Sequence, residues 1–254
     1  MPRFATYPSL QGRTVFVSGG GSGIGASIVA HFAAQGSKVA FVDIDEAGST
    51  ALVDQLRASG QSALFKPCDI RDIKAYQAVL AEVERELGAI TVLVNNAARD
   101  DRHELRNVTP EFWDERIAVN LRHAYFAIQS VAPGMKEAGG GSIVNFSSIS
   151  YHTMTRNLSV YQAAKAATIG MTRGLARDLG PDQIRVNAIT PGWIMTQRQI
   201  DLWLTAESEA ELMAAQVLKE KLYPPDVARM ALWLGADDSR LVSAQNFTVD
   251  GGRS

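Results

Sequence analysis

The sequence predicts a doubly wound α/β fold: a parallel sheet of about seven strands covered by helices on both faces. Three observations carry that prediction. Short β-branched runs alternate with longer segments of helical period from Thr14 to Val249. The runs are apolar at consecutive positions, as strands buried on both faces require. No linker, internal repeat or low-complexity tract interrupts the series, so residues 1–254 read as one domain.

Thr14 to Ser18 (TVFVS) reads as the first buried strand. Gly25 to Gly36 follows as a helix with Ile28, Val29, Phe32 and Ala33 along one side. Val39 to Asp43 is the second strand, and Glu46 to Ser59 a helix closed by Gly60. Ala63 to Cys68 is the third strand, followed by a helix from Asp72 to Leu87 that stops at Gly88. Thr91 to Asn95 is the fourth. Thr109 to Glu137 reads as one long helix, with a Pro in its first turn and Pro133 ending or kinking it. Ser142 to Phe146 is the fifth strand, Val160 to Leu179 a long helix and Ile184 to Ile189 the sixth strand. Pro225 to Ala236 is a helix, and Asn246 to Val249 the seventh strand. Trp193 to Tyr223 is a helical insert at the carboxyl end of the sheet, where ligands bind in such folds.

Composition narrows the class. Lys plus Arg is 25 and Asp plus Glu is 27, so the net charge is −2, which argues against a broad nucleic-acid-binding surface. Hydrophobic residues make up 46%, too many for a disordered chain. A single cysteine, Cys68, excludes an internal disulfide and a cysteine-based zinc cluster, and no metal site is expected. Met1 to Gly12 lacks the apolar core of a signal peptide, and no apolar run is long enough to span a membrane. A cytoplasmic protein acting on a small molecule is expected.

The segment Ser18-Gly19-Gly20-Gly21-Ser22-Gly23-Ile24-Gly25 ends a strand and opens a helix. Glycines there allow a sharp turn and let backbone N–H groups approach a pyrophosphate, which the helix dipole also favours. Asp43 ends the second strand, 18 residues beyond Gly25. A carboxylate at that place accepts hydrogen bonds from a ribose and repels a 2′-phosphate, so NAD is favoured over NADP. The alternative role for Asp43 is to cap the following helix.

Tyr161 and Lys165 lie four residues apart, on one face of a helix. A neighbouring cation lowers the pKa of a phenol and fits it to act as a base on an alcohol. Ser148, 13 residues upstream, follows the fifth strand, where its hydroxyl can polarise the reacting oxygen.

These elements together resemble the single-domain short-chain dehydrogenases/reductases, a Rossmann-fold family, over nearly the whole chain. The matching residues are the glycine turn, Asp69-Ile70, Asn95-Asn96-Ala97-Ala98, Asn120, Ser148, Tyr161-x-x-x-Lys165, Pro191-Gly192 and Val249-Asp250-Gly251-Gly252. The resemblance implies that Tyr161 is the acid/base, that Ser148 orients substrate, and that Lys165 binds the nicotinamide ribose and tunes Tyr161. It implies that Asn120 holds a water in a proton relay. Gly19, Ser22, Gly23, Ile24, Asp43, Asp69 and Ile70 are then expected at the adenosine and pyrophosphate end of the cofactor, Asn96 near a cofactor ribose, and Tyr161 and Lys165 also against the cofactor. Ile189, Ile194 and Thr196 are expected at its nicotinamide end. Ser18 and Ala98 depart from the family's usual Thr and Gly, and a methyl at Ala98 crowds the loop if that position needs a positive φ.

The predicted walls of the site are polar. Arg99 to Glu104, Ile149 to Thr153 and Trp193 to Gln199 supply donors and acceptors that suit a polyhydroxylated substrate better than an apolar one. The stretches Asp100-Asp101-Arg102-His103, Trp113-Asp114-Glu115-Arg116, Asn120-Leu121-Arg122-His123 and Val131 to Lys136 resemble the bacterial aldose 1-dehydrogenases of this family, of the D-xylose type. That resemblance implies NAD-dependent oxidation of an anomeric hydroxyl to a lactone. The expected sugar contacts are Asp100, Ser148, His152, Trp193 and Gln197. The alternatives are oxidation of a secondary alcohol in a deoxy sugar acid or polyol, and a non-catalytic nucleotide-binding protein. Resemblance also implies a homotetramer, with the helices at 109–137 and 160–179 between subunits.

Overall fold

A computed structural model describes residues 4–254; Met1 to Arg3, the start of the stretch read for a signal peptide, lie outside the described residues. The strands are β1 (Thr14–Ser18), β2 (Lys38–Asp43), β3 (Ala63–Pro67), β4 (Ile90–Asn95), β5 (Gly141–Phe146), β6 (Ile184–Pro191) and β7 (Asn246–Val249). They form one parallel sheet in the order β3-β2-β1-β4-β5-β6-β7. The order reverses between β1 and β4, which opens a crevice at the carboxyl ends of those two strands.

The helices are α1 (Gly23–Ala34), α2 (Glu46–Ala58), α3 (Ile73–Leu87), α4 (Pro110–Ile117), α5 (His123–Glu137), α6 (Ser159–Leu179), α7 (Gln197–Trp203), α8 (Ala206–Ala215) and α9 (Pro224–Gly235). One face of the sheet packs Val15, Val17, Val39 and Phe41 against Ile28 and Phe32 of α1, Leu56 of α2 and Val227 of α9. The other packs Phe16, Ala40, Val42 and Leu93 against Tyr76 and Leu80 of α3 and Ile128 and Val131 of α5. Alternate residues of each strand serve opposite faces, and both faces are dry, so the runs are apolar throughout.

The segment predicted as one long helix is α4 and α5 joined by a π-helical turn, Ala118–Arg122. The cause is Asn120. Its Nδ2 donates to the Arg116 carbonyl at 2.9 Å, taking the acceptor that the residue's own N–H uses in an α-helix. Pro133 does not end the helix: α5 continues through it to Glu137. Val131 and Met135 on either side are fully buried, and that burial outweighs the lost backbone bond.

The turn between β1 and α1 leaves no room for side chains. A Cβ on Gly25 falls 1.8 Å from the Gly19 carbonyl oxygen and 2.7 Å from Asn96 Nδ2. Gly19 has φ +68° and lies against Ala97. Ala98 does not have positive φ, so its methyl brings no backbone strain and the crowding anticipated there is absent. The Ser18 hydroxyl accepts from the N–H of Asn96 (3.1 Å) and of Ala97 (3.2 Å), keeping the hydroxyl function of the usual Thr.

Replacing Gly25 with Ala is expected to destabilise the protein by about 2 kcal/mol or more. Thermal unfolding of the purified variant checks this, with Tm expected to fall by roughly 4–8 °C.

Candidate active site

The crevice opens into a cavity of about 730 Å³ at the carboxyl edge of the sheet. Its floor is the β1–α1 turn. Gly19 and Gly20 donate their N–H groups to the Val42 carbonyl, and Gly21 donates to Asp43 Oδ2 at 2.8 Å. Ser22 is the N-cap residue of α1, and its side chain makes no cap bond, so the first turn of the helix presents its N–H groups with no side-chain acceptor. Ser22, Gly23 and Ile24 line the cavity there. An uncapped helix start behind a glycine turn fits a pyrophosphate.

Asp43 faces the same cavity, and its Oδ1 accepts the Asp45 N–H at 3.0 Å. It does not cap the next helix: Asp45 does, accepting the Gly48 N–H. Each Asp43 oxygen therefore has spare capacity toward the cavity. Further along, Asp69 and the buried Ile70 form a wall. The Arg71 guanidinium grips both Asp69 oxygens and holds that carboxyl below its usual pKa. Asn96 Nδ2 donates to the carbonyls of Ser18 (3.1 Å) and Gly19 (2.9 Å), so its amide clasps the turn.

At the other end stand Ser148, Tyr161 and Lys165. Ser148 lies two residues beyond β5, its hydroxyl accepts the Ser150 N–H at 3.2 Å, and it acts to lower the pKa of the Tyr161 phenol. Lys165 is 2% exposed, and its Nζ donates to the Phe146 carbonyl at 2.8 Å. The same Nζ lies 5.6 Å from the Tyr161 ring centroid. Burial pulls the Lys165 pKa down to about 7. Tyr161 departs from the expectation: its phenol is raised, by burial first and then by the Asp100 charge, against the opposing pull of the Ser148 bond and Arg102. The lysine lowers a phenol only while it carries charge, and burial weakens that charge.

Asn120 acts on the site through its side chain. Its Oδ1 accepts the Arg99 N–H at 2.9 Å, and its Nδ2 donates to the carbonyls of Arg99 and Arg116. These bonds fix the loop after β4, use both Nδ2 hydrogens and leave Oδ1 one further lone pair. Ile189 is fully buried in the core and does not line the cavity, whereas Ile194 and Thr196 do. A Cβ on Gly23 falls 3.1 Å from Thr196 Cγ2, so the start of α7 leans over the glycine turn.

Of the expected sugar contacts, Asp100, Ser148, Trp193 and Gln197 line the cavity. His152 does not: it is exposed, its ring lies 4.0 Å from that of Tyr151, and the short turn after Ser148 carries it away from the opening. Gln197 is tied to Asp201 at 2.7 Å. The residue missed is Gln199. It accepts the Trp193 indole N–H (2.9 Å) and donates to Asp100 Oδ2 (2.8 Å). A lone glutamine in a polar insert has no sequence pattern to mark it.

An ionic chain extends this contact. Arg198 reaches Asp100 (3.3 Å) and Asp101 (3.1 Å). Buried Arg116 pairs with Asp101 and Glu115, and Glu115 pairs with Arg71 at 2.9 Å. Burial alone raises the Asp101 pKa, but the charges of Arg99, Arg116 and Arg198 outweigh it, so Asp101 stays ionised. The chain of contacts ties α7 to the loop after β4 and to the Asp69 wall.

A family model described as enoyl-(acyl carrier protein) reductase matches residues 19–254. The chain is a short-chain dehydrogenase/reductase. It is 49% identical to a D-xylose 1-dehydrogenase of Caulobacter vibrioides over 248 residues, 98% of each chain. It is 50% identical to a probable galactose dehydrogenase of Rhizobium meliloti over 247 residues, 97% of this chain and 96% of the other. A 7α-hydroxysteroid dehydrogenase solved with NADH superposes with a TM-score of 0.92 at 30% identity, covering 97% of this chain and 96% of that one. The protein is thus an oxidoreductase with a nicotinamide cofactor, which the uncapped α1 start and the glycine turn fit.

Lys165 makes stability depend on pH in the cofactor-free protein. Its pKa is about 7 when folded and near 10.5 when free. Between those values the unfolded chain binds a proton that the folded one does not, so this group's contribution to stability rises with pH from 7 to about 10. Tm measured across that range is expected to rise for the wild type relative to Lys165→Met. Parallel Tm profiles for the two proteins would contradict this.

Proposed function

We propose that the protein oxidises the anomeric hydroxyl of an aldose to a lactone with NAD. The observation that carries this reading is the polar wall of Asp100, Gln199 and Trp193 beside Ser148 and Tyr161. It pairs hydrogen-bonding groups with an indole ring that suits the C–H face of a sugar. Similarity to the xylose and galactose dehydrogenases supports it.

The nicotinamide, when bound, supplies the hydride acceptor. The chain's own residues do the rest. Ser148 Oγ holds the anomeric oxygen, and Tyr161 Oη takes its proton as the hydride leaves the same carbon. The carbon loses two electrons and one hydrogen, the oxygen loses one proton, and a lactone carbonyl results. Lys165 holds positive charge below the phenol when protonated and so eases loss of the phenolic proton. Asn120 keeps the loop after β4, and with it Asp100, against the site. Gly19, Ser22, Gly23 and Ile24 hold the pyrophosphate, Asp43 the adenosine ribose, and Asp69 and Ile70 the adenine. Asn96 supports the turn beneath, and Ile194 and Thr196 face the nicotinamide. Asp43 favours NAD because a 2′-phosphate meets a carboxylate there.

The whole chain works as one catalytic unit, with substrate choice carried by the segment 193–223. The protein acts in the cytoplasm; among the described residues no helix is long and apolar enough to cross a membrane. It assembles as a homotetramer through α4, α5 and α6. An apolar groove between α5 and α6, lined by Tyr125, Ile128, Ala132, Leu175 and Leu179, supports that assembly. Light scattering is expected to give four subunits; a stable monomer refutes it.

A panel of aldoses, polyols and sugar acids, followed by NADH absorbance, tests the substrate. Aldoses are expected to turn over and to yield a product that reacts with hydroxylamine to a hydroxamate. A ketone product instead indicates a secondary alcohol as substrate. Tyr161→Phe is expected to lose activity by about a hundredfold or more. Asp43→Ser is expected to move the NAD-to-NADP ratio of kcat/KM toward NADP by about tenfold or more.

A further inference from the structure

Two N–H donors in the cavity wall meet no acceptor. Arg102 Nε and Trp203 Nε1 are both shut off from solvent, and neither has a hydrogen-bond partner among the described residues. They belong to one contact, in which the Arg102 guanidinium carbon sits 4.9 Å from the Trp203 ring centroid. Arg102 comes from the loop after β4, and Trp203 is the last residue of α7. Both side chains line the cavity that holds Tyr161 and Ser148.

Orphaned buried donors are rare, because each gives up its hydration for nothing. Two together in a ligand cavity mark a place where an acceptor belongs. The neighbouring cations differ: Arg99 and Arg116 are paired with Asp101, and Arg198 with Asp100 and Asp101. Arg102 is held by one bond, from Nη1 to the Arg156 carbonyl at 3.2 Å. Its position on the inner side is also felt at the catalytic phenol, where its charge opposes that of Asp100.

We propose that Arg102 and Trp203 form a two-donor clamp that receives a substrate oxygen remote from the reacting carbon and so decides which aldoses are accepted. The proposal rests on the sugar-oxidation reading. Neither group is an acceptor, so the clamp takes a hydroxyl or carboxylate oxygen, while Asp100 keeps lone pairs for a hydroxyl proton. Each N–H lies in the plane of its own guanidinium or ring, so the oxygen docks at the edge of the stacked pair and not between the faces. Without substrate the two stack on each other and their N–H groups stay unpaired.

Two variants remove one donor each and keep the bulk. Trp203→Phe keeps a ring; Arg102→Lys keeps the charge and loses Nε. The substrates are D-xylose and D-galactose, their monodeoxy analogues, and D-galacturonate. Wild-type turnover is read first, and its absence on every aldose refutes the proposed function rather than the clamp. Each variant is expected to lower kcat/KM on the parent sugar by about tenfold, through KM more than kcat. That loss is expected to vanish on the one deoxy analogue that lacks the received oxygen. A larger loss on D-galacturonate than on D-galactose in Arg102→Lys identifies the oxygen as a carboxylate; a smaller or equal one identifies a hydroxyl. NADH binding, followed by fluorescence titration, is expected to stay at the wild-type value. No loss on any sugar, a loss equal across all deoxy analogues, or a matching loss of NADH binding overturns the clamp.

Discussion

The Asn96 amide, clasped on the carbonyls of Ser18 and Gly19, is the contact on which the site depends. It ties the end of β4 to the end of β1 at the place where the strand order reverses. Two parallel strands that part toward helices on opposite faces leave a crevice, and its mouth needs fixed edges. The clasp fixes them, and it also pins the turn against which Gly25 packs without a side chain. The cofactor end and the reacting end then share one rigid edge.

Electrostatics at the two ends follow from burial. Beside Tyr161, Lys165 gives up bulk water for the Phe146 carbonyl, and its pKa drops to about 7. The phenol of Tyr161 rises for the same reason, since a phenolate is the charged form that burial disfavours. His123 sits behind this pair, fully buried, and is pushed down to about 3, so it stays neutral and takes no part as a base. At the outer wall the charges are paired instead of neutralised. Asp101 gathers Arg99, Arg116 and Arg198, and their charges hold its carboxyl below the usual range against the rise that burial brings.

Much of this was legible in the residue order. Buried strands announce themselves as short β-branched runs, and all seven expected strands fall within two residues of their observed limits. The glycine turn, Asp43 and the Ser148, Tyr161 and Lys165 set carry their chemistry in spacing that a strand or a helix translates directly into position. The π turn at Asn120 was not legible, because it arises from a side-chain bond to Arg116 and not from a change in hydrophobic period. Pro133 misled for a related reason: local propensity opposes a helix there, and packing of Val131 and Met135 restores it. His152 follows Ser148 closely in sequence and Ile189 is implied by the family resemblance, but an exposed turn and a core position take them away from the cavity.

By itself, then, the sequence determined the doubly wound sheet, the glycine turn and the Ser148, Tyr161 and Lys165 set, since each depends on local periodicity and on residues a few positions apart. Tertiary structure decided the substrate wall. Gln199 meets Asp100 across 99 positions of chain, and Arg102 meets Trp203 across a similar gap between the loop after β4 and α7. Such contacts follow from where β4 and β6 end in space. No short-range pattern encodes them, because each residue is an ordinary polar or aromatic side chain until the fold sets it beside its partner.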